Sequence, residues 1–134
     1  MSVEEYYNLG KKLFPICRSI TGKGTKKTLH IIKKKLKDLK IRSVSSGTKA
    51  FDWKVPPEWN IKDAFVIDKE KKKIIDFKKN NLHVVNYSNP INLRNVNLKI
   101  IKKYLNYDKS LKNAIPYITS YYKKKVGLCL SFNK

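Results

Sequence analysis

The chain has 134 residues and a formal charge of +21, from 31 Lys and Arg against 10 Asp and Glu. That length fits one domain or a piece of a larger protein, with room for one modest core. Its 41% hydrophobic residues, eight tyrosines and five phenylalanines exclude a disordered chain, and no apolar run is long enough to span a membrane.

The basic excess is almost all lysine: 28 Lys against Arg18, Arg42 and Arg94. Specific recognition of phosphates and base edges favours the planar guanidinium fork, so lysine alone supports at most non-specific attraction to nucleic acid. The chain also holds 14 Ile and 12 Asn, and this trio points to compositional drift and a solvated lysine surface. The N-terminus has Glu4 and Glu5 and no basic-then-apolar leader, which predicts a cytoplasmic protein. Cys17 and Cys129 have no CxxC spacing and read as reduced, buried thiols.

In chain order, Ser2-Val3-Glu4-Glu5 is a capping-box pattern, and Tyr6, Leu9 and Leu13 follow at helical spacing. Tyr7 and Phe14 flank that stripe, and Pro15 closes the first helix. Gly22 and Gly24, between Thr21 and Thr25, make a turn into a second helix over about 25–40, striped by Leu29, Ile32, Leu36 and Leu39. The turn lacks the spacing and preceding strand of a phosphate-binding P-loop. From Ile41 the period changes to two, predicting strands at 41–45, 50–55, 61–68, 73–77 and 82–87. Phe51, Trp53 and Val55 alternate before Pro56-Pro57, and Trp59 follows, which predicts a corner packed by both indoles. Asp68–Lys72 reads as the turn of a hairpin between 61–68 and 73–77, with 82–87 pairing next. Leu98, Ile101 and Leu105 predict a third helix over about 96–106. The runs 115–122 and 127–132 are further β-prone segments.

No catalytic, cofactor-binding or metal-ligating residue is identifiable. His30 and His83 stand apart, without HxxxH, HxD or HExxH spacing. A Cys–His nucleophile pair would have to join Cys17 to one of them, and nothing in the spacing supports that. Asp52, Glu58 and Asp63 read as ion-pair partners in a lysine-rich chain.

Four blocks carry a resemblance: LFPICRSITGKGTKKTL (13–29), SSGTKAFDWKVPPEWNIKDAFV (45–66), DFKKNNLHVVNYSNPI (76–91) and AIPYITSYYKKKVGLCL (114–130). In this order they resemble the N-terminal part of a bacterial family of uncharacterised aminopeptidase-like proteins, similar to zinc aminopeptidases of the glutamate-carboxypeptidase type. The resemblance implies that residues 1–42 are a helical lead-in belonging to the catalytic unit. It implies that 43–134 are a β-rich insertion resembling a protease-associated domain, truncated at its C-terminal end. Zinc ligands are expected only beyond a GFCL-like strand, so zinc is implied for the full-length family and no cofactor for this chain. Val126 departs from the tryptophan expected before Gly127. The setting of such proteins beside surface-polysaccharide genes implies a sugar-linked or amino-acid-linked substrate.

The expected fold is α+β: two N-terminal helices, a mainly antiparallel mixed sheet of five to six strands, and one short helix. The expected function is a non-catalytic N-terminal portion of a zinc aminopeptidase-like protein, partnered by a separately encoded catalytic portion. The competing expectation is a small lysine-rich binding module for nucleic acid or a protein partner.

Overall fold

The computed structural model describes residues 2–120 and 123–133. The chain divides into two units, residues 1–60 and 61–134.

In the first unit, α1 spans Val3–Leu13. The predicted capping box forms: the Glu5 amide donates to Ser2 Oγ at 3.2 Å and the Ser2 amide to Glu5 Oε2 at 2.8 Å. Glu4 and Glu5 in the first turn and Lys11 and Lys12 in the last complement the helix dipole. The helix ends at Phe14, one residue before Pro15.

Helix α2 spans Lys23–Lys33, starting earlier and ending sooner than the stripe predicts. Leu36 lies exposed, so burial does not support a further turn, and Lys33, Lys34, Lys35 and Lys37 repel one another there. Residues 41–45 form no strand. The predicted strand 50–55 is instead a tight hairpin of β1 (Lys49–Ala50) and β2 (Trp53–Lys54), with Ala50 opposite Trp53. Phe51 occupies the turn at φ 53° and is 95% exposed, which breaks the expected one-faced alternation.

In the second unit, β3 (Phe65–Ile67) and β4 (Lys73–Asp76) form the predicted antiparallel hairpin. Asp68 organises its turn, Oδ1 accepting from the Glu70 and Lys72 amides at 2.9 Å each. Residues 82–87 do not pair with β4 as a third strand. A 3-10 turn over Asn81–His83 leads into His83–Tyr87, every residue of which is buried, with Val85 fully enclosed. Tyr87 turns through φ 65°. This spine meets distant chain: Val85 N–H donates to Gly127 O at 3.1 Å and Asn86 N–H to Ile118 O at 2.9 Å.

Helix α3 is shorter than predicted, Leu98–Lys102, started by Asn97 Oδ1 accepting from the Ile100 amide at 3.1 Å. Then β5 (Leu105–Asn106) runs parallel to β6 (Leu128–Cys129). Of the β-prone run 115–122, Tyr121 and Tyr122 lie outside the described residues. The class is mixed α+β with three helices, but among the described residues the strands form three separate two-stranded ladders, not one sheet. Bends at Phe51 and Tyr87 interrupt the extended runs from which a continuous sheet would have been built. No described helix is long and apolar enough to cross a membrane.

Candidate functional site

The residues with chemical potential are held in structural roles. His83 is buried, and its Nδ1 lies 2.7 Å from the Cys129 carbonyl oxygen, 46 residues away in sequence. A carbonyl only accepts, so Nδ1 carries the proton and the ring pins the 3-10 turn to β6. The sequence favours a hydrogen-bonded structural role for the lone His83 over a metal-ligand role, without naming its partner. The partner is the backbone of Cys129, which no side-chain motif announces. The Cys129 thiol is itself fully buried, and burial pushes its pKa up to about 11, with Lys125 opposing less strongly. It is therefore protonated near neutral pH and a poor nucleophile or metal ligand.

Cys17 is half-buried, and burial raises its thiol pKa too. His30 lies exposed on α2 with Nδ1 2.7 Å from Lys26 O, one turn back. Asp63 meets Lys78 at 3.1 Å, and the hydrogen bond to that ammonium holds its carboxyl below the usual range. Asp52 and Glu58 are exposed. Among the described residues, no three of His, Cys, Asp or Glu come together as a metal-binding group. The donors present among the described residues do not fit a zinc ion.

The glycine turn before α2 is a clasp rather than a phosphate cradle. The Lys23 amide, a free donor that an anion would use, donates to Asn60 Oδ1 at 2.7 Å. Gly22, at φ 110°, presses on the Trp59 carbonyl, where a Cβ would sit 2.3 Å from the oxygen. A Cβ on Gly24 would sit 1.8 Å from the Cys17 carbonyl oxygen. Thr21 Oγ1 donates to Pro57 O at 3.1 Å, and the Thr25 hydroxyl donates to the Ser19 carbonyl. The corner around Pro56-Pro57 is packed by Pro56, which is fully buried, with Trp59 half-buried. Trp53 is 43% exposed, so the expectation of two packed indoles fails: the turn at Phe51 carries that hairpin outward.

One surface stands open. No residue of α1 is buried; Leu9 and Leu13 are half-covered. Tyr7 is 63% exposed and Phe14 is 81% exposed. Together with Gly10 and Lys11 they line an open, mainly apolar depression of about 430 Å³. The Lys11 ammonium lies 4.5 Å from the Tyr7 ring centroid, and a Cβ on Gly10 would meet nothing within 4 Å. A single helix lines the depression, which suits a protein surface better than an enclosed small molecule.

A curated Clostridium acetobutylicum protein, described as "Putative polysaccharide biosynthesis protein with aminopeptidase-like domain", is 54% identical over 130 residues, covering 97% of this chain and 30% of that protein. The crystal structure of a "putative peptidase" from Clostridium acetobutylicum is similar at a TM-score of 0.91 and 53% identity, again covering 97% of this chain and 30% of the other. The chain thus spans about 30% of the length of the curated relative it matches. The family described as "Domain of unknown function (DUF2172)" matches residues 58–134, more than half the chain, and the chain belongs to that family.

Proposed function

We propose that this chain is the non-catalytic N-terminal portion of an aminopeptidase-like metallopeptidase, similar to zinc enzymes of the glutamate-carboxypeptidase type. In this reading residues 1–42 complete the catalytic unit and residues 43–134 form an insertion beside its cleft. The metal ligands belong to the part of the relatives outside the matched region, and a cytoplasmic catalytic portion is the partner. The substrate class is an amino-acid amide or an amino-acid-linked sugar. The observation that carries the reading is the match of 97% of this chain to 30% of an aminopeptidase-like protein. The protonated thiols and carbonyl-bound His83 give it further support.

The test has two arms. The purified chain, given zinc and a panel of amino-acid amides, shows no metal-dependent hydrolysis. The Clostridium protein, with this chain substituted for its matched region, hydrolyses members of the panel and loses activity to a chelator. Zinc-dependent hydrolysis by the chain alone, or an inert and metal-indifferent chimaera, overturns the proposal.

A further inference from the structure

Helix α1 has eleven residues, none of them buried. Isolated helices below about 12–15 residues are marginal in water, and what holds α1 within this chain is modest: half-covered Leu9 and Leu13 and a half-exposed Glu5–Lys35 ion pair at 3.8 Å. Gly10 weakens it further, because glycine disfavours a helix interior. Inside this chain that glycine packs against nothing. Its surroundings give it a use. Tyr7 and Phe14 stand one turn to either side, and the bare backbone at Gly10 forms the floor of a notch with aromatic walls. A missing Cβ lets a second backbone come close, and the i±3 and i±4 rows on either side offer ridges for a crossing helix. Half-covered Leu9 and Leu13 lie toward another face, so α1 presents apolar groups beyond those that this chain covers.

We infer that the Tyr7–Gly10–Lys11–Phe14 face of α1 is the docking seam for an apolar helix of the catalytic portion, and that α1 becomes stably helical only when seated there. The occupant follows from length: the curated relative has most of its chain outside the 30% matched here, and that chain is available to cover the seam. The inference rests on the proposed function and names the contact through which the two portions join.

Amide hydrogen exchange over residues 3–13 tests it, comparing this chain alone with the chimaera in which it replaces the matched region of the Clostridium protein. Alone, α1 exchanges at rates close to those of an unfolded peptide. In the chimaera its protection rises about 100-fold or more, as for a helix incorporated into a cooperative unit. Gly10→Leu strengthens intrinsic helicity yet fills the notch, and it lowers that protection about tenfold or more through overpacking. Phe14→Ser lowers it as well. Lys12→Leu adds the same side chain as Gly10→Leu roughly 200° around the helix, and protection stays at the parent level. Equal protection in the chain alone, or wild-type protection in Gly10→Leu, overturns the seam. Protection that rises with concentration in the chain alone assigns the face to a second copy and also overturns it. A chimaera that hydrolyses amides while its seam variants behave as wild type refutes the seam only; a chimaera that does not fold refutes the proposed function as well.

Discussion

Replacing Gly24 by alanine sets two effects against each other. In an open helix the change is favourable by up to about 1 kcal/mol. Here the new carbon would lie 1.8 Å from the Cys17 carbonyl oxygen and 2.9 Å from the carbonyl carbon. Both obstacles are backbone, so no rotamer change relieves them. Either the first turn of α2 or the Cys17 segment must shift. Overpacking of this kind costs about 1–3 kcal/mol. The shift also loosens the Lys23–Asn60 hydrogen bond, worth about 1 kcal/mol. The net expectation, with the propensity gain set against both costs, is a loss of about 1–3 kcal/mol. Gly10→Ala is the internal contrast: its Cβ meets nothing within 4 Å, so it raises the helicity of α1 by the full propensity difference. Urea titration followed by far-ultraviolet circular dichroism and tryptophan fluorescence reads both variants. A Gly24→Ala midpoint equal to or above wild type would refute the clasp.

Asn60→Ala strips the remote cap from α2 and lowers the stability of the first unit by about 1 kcal/mol, whereas Asn60→Asp keeps the acceptor and most of the midpoint. His83→Phe leaves the Cys129 carbonyl without its donor and destabilises the second unit by about 1–3 kcal/mol, read as a lower urea midpoint, with no change in zinc binding by calorimetry. Because burial raises the Cys129 thiol from 9.0 to about 11, the folded state keeps a proton there that the unfolded chain has lost. That contribution is whole below 9.0 and disappears as the pH climbs to about 11, and urea midpoints across this window fall less steeply in Cys129→Ala.

Local chemistry was legible and remote chemistry was not. Ser2 and Glu5 announce the start of α1 because both halves of the cap lie within one turn. The β3–β4 hairpin is legible because a polar turn led by Asp68 separates two β-prone runs. Residues 82–87 mislead because apolar alternation describes a half-buried strand, while His83–Tyr87 are all buried and their backbone bonds to chain near Ile118 and Gly127. Their distance in sequence leaves no trace in periodicity. Phe51 and Tyr87 adopt positive φ without being glycine or asparagine, so the turns they make carry no residue signal. Of the candidate docking face, Tyr7 and Phe14 were visible as flanks of the α1 stripe. That Gly10 forms an open notch between them depends on three-dimensional neighbours, which only the structure supplies.

The bond from Lys23 to Asn60 crosses 37 residues, and it has a bearing on how the polypeptide emerges from the ribosome. Synthesis is vectorial, so α2 is complete in sequence well before its capping partner has been added. Until Trp59 and Asn60 arrive, Gly22 and Gly24 keep the full conformational freedom of glycine. Emergence of Asn60 from the ribosome is thus the earliest moment at which this bond can form, and a chain stalled before that point leaves α2 untethered at its head.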